Sequence, residues 1–278
     1  MSEKTRCIAI RKLAEGVAVI ELNRPEKRNA INVQMSMALV AALARLEKDK
    51  SVRVLVIGAR GKAFCAGHDL GSEHPLDIEL RERGSTSEGK FVVEQEMVDE
   101  LLLKARNFSK PTIARVQGAA IAAGWALASM CDLVIVSTEA TFQNPICRMA
   151  TAGPTIFVEP WDVGIRKAKE LLFTGDALTA KEAMALGFVN HVHEVDELDD
   201  RTEQIAKRIA AAPSWALQLV KRSFNKTLDF MGQRDSWDYQ FALRHVGHAS
   251  TERREFLKTM REGKSAREFI AARDEPFK

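Results

Sequence analysis

The chain has 278 residues, 46% of them hydrophobic and 28% charged, and a net charge of +3. That is ordinary globular composition, enough for one main α/β domain with a sizeable core and too apolar for long disorder. So small a net charge gives no footprint for a nucleic-acid partner, although Lys and Arg gathered locally could still meet a phosphorylated ligand. The polar start, Met1-Ser2-Glu3-Lys4-Thr5-Arg6, is not followed by the apolar run of a secretory signal. The longest apolar stretch, Ile121 to Cys131, is too short to span a bilayer, so a cytoplasmic chain with no membrane partner is expected. Cys7, Cys65, Cys131 and Cys147 show neither C-x-x-C spacing nor a framework pattern and read as reduced core thiols. The six histidines are scattered, and the nearest pair, His191 and His193, lies in a strand-like run; no metal site is expected.

In chain order, Cys7–Ile10 and Val17–Leu22 are β-branched runs separated by Glu15-Gly16, a hairpin that opens a sheet. From Asn32, a candidate N-cap, apolar Met35, Leu39, Leu43 and Leu46 recur at helical spacing. Val52–Gly58 is an apolar run broken only by Arg53, as in a strand buried on both faces, and a loop rich in Gly and Ala follows to Gly71. The polar segment from His74 to Gly89 is expected to be a mobile excursion. Phe91 to Phe108 regains helical periodicity; Pro111–Val116 is a strand; a turn at Gly118 leads into a helix over Ala122–Met130; Leu133–Ser137 is again a strand. Beyond Ile165, Lys167–Phe173, Thr179–Leu186 and Asp199–Ala212 have amphipathic spacing, with Val189–Val195 as a strand among them. Ser214–Phe230, Trp237–Ala249 and Thr251–Arg261 are further helices. The division expected is a core over residues 1–200 and a helical region over 201–278, with no internal repeat at a constant period.

Small residues cluster at two places. Phe64-Cys65-Ala66-Gly67-His68 follows a buried strand, and Gly67 and the alanines leave room for backbone to approach a ligand closely. Ala122-Ala123-Gly124 offers a second approach where a helix begins and its unpaired N–H groups favour negative charge. Tight strand–helix turns would suit the same residues, so neither segment decides alone.

Three segments together carry a resemblance: Leu22-Asn23-Arg24-Pro25-Glu26-Lys27-Arg28-Asn29-Ala30-Ile31-Asn32, Gly61-Lys62-Ala63-Phe64-Cys65-Ala66-Gly67-His68-Asp69-Leu70, and the run from Lys110-Pro111 to Gly124 followed by Met130-Cys131-Asp132. Leu172-Phe173-Thr174-Gly175-Asp176 and Ala183 to Asn190 support them. In order and spacing the chain resembles the crotonase (enoyl-CoA hydratase/isomerase) superfamily. The resemblance implies an α/β crotonase (ClpP-like) fold of repeated ββα units with a C-terminal helical extension that makes trimers, or hexamers from two trimers. It implies an acyl-CoA substrate, with coenzyme A arriving as part of that substrate rather than as a permanent cofactor. The thioester oxygen would sit between the backbone N–H groups of His68 and Ala123, an oxyanion hole for an enolate. The matching coenzyme A contacts are Lys27, Arg28 and Ala30, with Arg24 in the same turn, and Ala66, Asp69, Leu70 and Gly124 around the two approaches. The His68 imidazole is open between a base, a pocket wall and a polar filler.

The chain departs from the family at the proton carriers. A hydratase flanks a water with two carboxylates; counted along the pattern, they fall on Ala126 and Ile146, and the aspartate of isomerase and dehalogenase members falls on Pro154. Glu159, before Pro160, reads as a surface residue rather than a cavity-facing one, and Trp125 as core rather than acyl-pocket wall. The leading expectation is enoyl-CoA hydratase/isomerase chemistry with an unusual acid/base arrangement. The alternatives are carbon–carbon bond hydrolysis through the same enolate and, in another class, a non-catalytic acyl-CoA binder.

Overall fold

The computed structural model describes residues 7–261 and 264–277; the polar hexapeptide Met1–Arg6 of the signal-peptide reading lies outside them. Two strands open the chain, β1 (Ile8–Lys12) and β2 (Val17–Leu22), paired antiparallel as the hairpin reading expects. Helix α1 (Val33–Lys48) follows, its Asn32 cap accepting from the Met35 amide at 3.0 Å. Then come β3 (Val54–Ala59), α2 (Pro75–Arg83) and α3 (Ser87–Met97). A π-helical stretch, Val98–Leu103, joins α3 to α4 (Lys104–Arg106). The middle of the chain holds β4 (Thr112–Val116), β5 (Ala119–Ile121), α5 (Ala123–Ser129), β6 (Leu133–Ser137) and β7 (Thr141–Gln143). After it come α6 (Glu159–Val163), α7 (Ile165–Thr174), β8 (Ala177–Thr179), α8 (Ala180–Ala185) and β9 (His191–His193). Toward the end of the described residues come the helices α9 (Leu198–Ala210), α10 (Ser214–Phe230), α11 (Gln233–His248), α12 (Thr251–Arg261) and α13 (Ala266–Asp274), and a 3-10 turn, Glu275–Phe277.

The main sheet runs β1-β2-β3-β4-β6-β9, parallel from β2 onward. Side chains alternate across a strand, and both faces here are covered. Val17, Val19, Val54, Val56, Ile113 and Ile135 pack with Leu198, Ala206 and Ala210 of α9. On the other face Ala18, Ile20, Leu22, Leu55 and Ile57 meet Met35, Leu39 and Leu43 of α1. Covering both faces is why these strands read as largely apolar runs, with Glu21 and Arg115 the charged residues of β2 and β4.

A small second sheet, β5-β7-β8, was not legible from periodicity because its strands have three residues each. β5 runs parallel to β7, with Ile121 opposite Gln143. The residues after both strands, Ala122 and Asn144, therefore emerge at one end of the sheet. The excursion expected between His74 and Gly89 is instead helical over Pro75–Arg83. Pro75 starts that helix, and the buried Asp77 accepts from the Val33 amide at 3.0 Å and from Ser72 Oγ at 2.8 Å, docking it on α1. The four cysteines are free, but Cys147 is exposed, so the core reading fails for it; it sits on the outer turn Cys147–Met149. No helix among the described residues is long and apolar enough to cross a membrane.

The basic turn is held by Asn29, fully buried with φ 54°. Its Oδ1 accepts from the Arg24 amide at 2.8 Å, and its Nδ2 donates to the Arg60 and Ala63 carbonyls at 2.9 and 2.8 Å. Asn29→Ala strands these groups and puts alanine in a left-handed conformation. It is expected to lower stability by about 2–4 kcal/mol, read by urea denaturation.

Candidate active site

The loop after β3 lies between two other segments of backbone. On one side the Ala66 amide donates to Arg28 O at 3.0 Å, Ile31 donates to Gly67 O at 2.8 Å, and Asp69 donates to Ile31 O at 2.9 Å. On the other side Cys65 donates to Ala119 O at 3.1 Å and Ile121 donates to Cys65 O at 2.8 Å. The Gly67 amide, at φ 88°, turns to the Cys65 thiol. Of the amides from Cys65 to Asp69, that of His68 alone has no acceptor among the described residues.

Ala123 provides a second such amide. It opens α5, where first-turn N–H groups have no intrahelical acceptor. The bend before it, Ala122 at φ 48° and ψ −108°, is pinned by the Ala122 amide donating to Gln143 O at 2.8 Å. The two turns touch: a Cβ on Gly67 would lie 3.7 Å from the Ala123 nitrogen, and one on Gly124 would lie 2.4 Å from the Cys65 carbonyl oxygen. Their small residues are thus a steric requirement. Gly124→Ala must push the turns apart, and an overpacking loss of about 1–3 kcal/mol is expected in the melting curve, with weakened acyl-CoA affinity.

His68, Asp69, Leu70 and Ala123 line one cavity of about 340 Å³. Ala30, Ala66 and Gly124 belong to the backbone framework behind it, whereas Lys27 and Arg28 are exposed on the basic turn. Arg24 is engaged inside the protein: it pairs with Asp69 at 2.8 Å and donates to Ala30 O, tying the basic turn to the loop. Ala126 and Ile146 also line the cavity, and both give it apolar wall. Trp125 is fully buried in the core, its Nε1 donating to Asp162 at 2.8 Å.

Titratable groups reach the cavity from elements that no sequence pattern linked. Glu94 of α3 is bound by Arg244 of α11 at 2.7 Å, with His248 Nε2 at 3.6 Å. Burial alone would raise the Glu94 pKa, but the neighbouring His248 and the charge and hydrogen bonds of Arg244 hold it well below the usual carboxylate range. His68 lines the same cavity and keeps contact with solvent; the protein atoms packed around its ring push its pKa down, Glu94 opposes that shift and Arg244 adds to it. Residues 150 positions apart carry the Glu94–Arg244 pair, so no local signal announced it. Since its pKa is depressed, the stability Glu94 contributes is present above the unfolded carboxylate value, about 4.3, and is lost as pH falls below it. The deficit of Glu94→Gln relative to the parent chain should therefore be larger at pH 7 than at pH 3.5, in paired urea titrations.

Glu159 overturns its surface reading. It is 0% exposed, lines the cavity, and accepts from Asn144 Nδ2 at 2.5 Å, while its Oε2 has no partner among the described residues. Burial raises its pKa to about 7, against the hydrogen bonds of Asn144 and of the Glu159 and Val158 amides. Asp162 is likewise raised by burial to about 7, although Ser129 and Trp125 donate to it. The one signal in the sequence was Pro160, which holds Glu159 at the start of α6.

A two-sheet α/β fold with C-terminal helices, whose loop and helix start converge on one cavity, is the architecture of the crotonase superfamily. The enoyl-CoA hydratase/isomerase family model matches residues 12–277, and the chain belongs to that family of enzymes. EchA13 of Mycobacterium tuberculosis, which carries an enoyl-CoA hydratase name, is 40% identical over 249 residues, covering 84% of this chain and 77% of its own. A 4-chlorobenzoyl coenzyme A dehalogenase of Arthrobacter is 31% identical, covering 84% of each. A crystal structure from Mycobacterium smegmatis, described as a probable enoyl-CoA hydratase, superposes with a TM-score of 0.81 at 38% identity, covering 91% of this chain and 96% of that one.

Proposed function

We propose that the chain acts on an acyl-CoA thioester whose carbonyl oxygen is received by the His68 and Ala123 amides, so that an enolate forms at the α-carbon. The reaction is of the hydratase or isomerase type. The observation that carries this reading is the pair of backbone N–H groups without acceptors among the described residues, on touching turns that wall one cavity. Donors aimed where negative charge develops give roughly 10²–10³ in rate each, because they need no reorganisation as the charge appears.

In this reading Asp69 and Leu70 line the acyl-pantetheine path, and backbone near Ala30, Ala66 and Gly124 frames it. Lys27 and Arg28, exposed on the turn, meet the nucleotide phosphates of coenzyme A as point charge and guanidinium. Coenzyme A enters and leaves with the substrate. The exposed apolar side chains of α10, Trp215, Val220 and Phe224 among them, suit burial in a trimer or a dimer of trimers. Residues 201–278 would supply that association to the core of residues 1–200. The cytoplasm is the compartment proposed.

Purified protein mixed with crotonyl-CoA should bleach the conjugated thioester absorbance, and saturated acyl-CoA in deuterium oxide should take up deuterium at the α-carbon. Neither signal above the buffer rate would rule the reading out. Carbon–carbon cleavage of a diketone substrate, with no loss of the crotonyl-CoA absorbance, would point to the hydrolase alternative, which runs through the same enolate.

A further inference from the structure

We infer that Glu159, oriented by Asn144, is the proton carrier of this site, taking over from the carboxylates that Ala126 and Ile146 replace. The inference rests on the enolate chemistry proposed above. Three observations carry it. Asn144 leaves β7 directly after Gln143, whose carbonyl holds the Ala122 amide at 2.8 Å, so the Asn144–Glu159 pair is anchored beside the turn that presents the Ala123 amide. Asn144 and Glu159 both line the cavity that His68 and Ala123 line. The pair is also half-satisfied in a way that suits a small donor: Nδ2 of Asn144 is spent on Oε1 of Glu159 at 2.5 Å, while Asn144 Oδ1 and Glu159 Oε2 are buried with no partner among the described residues.

Two buried acceptors on one hydrogen-bonded pair are costly unless something donates to them. A water or a protonated Glu159 meets that requirement, and both belong to the same cycle. Unlike Glu94, which Arg244 keeps charged, Glu159 has no ion-pair partner among the described residues, and burial brings its pKa to about 7. A carboxyl near neutrality can take a proton and return it at little cost in either direction.

For hydration the step balances as follows. Water donates one proton to the Glu159 carboxylate while its oxygen bonds to the β-carbon. The π electrons of the double bond move toward the α-carbon and the thioester oxygen, which the His68 and Ala123 amides hold as the enolate. The enolate then takes the proton from Glu159 at the α-carbon, restoring the double-bonded thioester oxygen and the carboxylate. One carboxyl thus does the work that other members divide between two, and Asn144 positions both it and the water.

The test uses the full chain with crotonyl-CoA. Glu159→Gln keeps the size of the side chain and an acceptor for Asn144, so crotonyl-CoA affinity by calorimetry should stay within about twofold while kcat falls by roughly 10²–10⁴ and α-deuterium exchange falls with it. Glu159→Asp, still an acid, should recover part of that loss. Equal loss in both variants would mean a packing role and would overturn the inference. A Glu159→Gln protein with unaltered kcat would overturn it while leaving the enolate reading intact, whereas a wild-type chain that neither hydrates nor exchanges removes both. Should Glu159→Gln fail to fold, Asn144→Ala serves instead: kcat reduced about tenfold or more at unchanged affinity supports the pair, and unchanged kcat refutes it.

Discussion

The site depends on how five consecutive backbone amides are spent. Buried N–H groups must be paired, and the segment from Cys65 to Asp69 runs between two others that take them: Ala119 receives the Cys65 amide, Arg28 that of Ala66, and Ile31 that of Asp69. Gly67, in a conformation that suits glycine, turns its amide to the Cys65 thiol. What remains is the His68 amide, directed by a backbone that is tied on both sides. Much else serves that arrangement. Asn29 holds the basic turn against the loop, Arg24 and Asp69 cross-link them, and Gly124 admits the Cys65 carbonyl where no side chain fits. Rigidity of this kind lets a donor stabilise developing charge without first having to be oriented.

Around those amides the cavity separates its carboxylates by their partners rather than by depth. Glu159 is fully buried and Glu94 largely so, yet Arg244 keeps Glu94 ionised and only the neutral amide of Asn144 and two backbone amides meet Glu159. Burial without a cation pushes a carboxyl toward neutrality, and a cation at hydrogen-bonding distance reverses that. The same contrast sorts their uses: the Glu94–Arg244 pair fastens α11 to α3, whereas Glu159 has an oxygen to spare.

The backbone framework of the cavity was largely legible in one dimension because it is built from local features. A continuous apolar strand, a small-residue loop and a small-residue helix start each leave a signature in a few consecutive residues, and β2, β6, α10 and α12 stand where periodicity put them. The second sheet left none, since three-residue strands carry too few alternations to be read. The His74–Gly89 segment misled for a related reason: its helix has no apolar stripe and is docked by the buried Asp77, a contact with Val33 that composition does not reveal.

By itself the sequence determined the family, and it marked the two small-residue turns and the places, Ala126 and Ile146, where the family resemblance leads one to expect carboxylates. Those are statements about which residue occupies which place in an ordered pattern, and they require no distances. Only the tertiary structure decided that Glu159 lies buried in the cavity rather than on the surface, and that Glu94 and Arg244 meet across it. The ionisation of a carboxyl is set by the atoms within a few ångströms of it. For both residues, decisive neighbours come from parts of the chain that folding alone brings together.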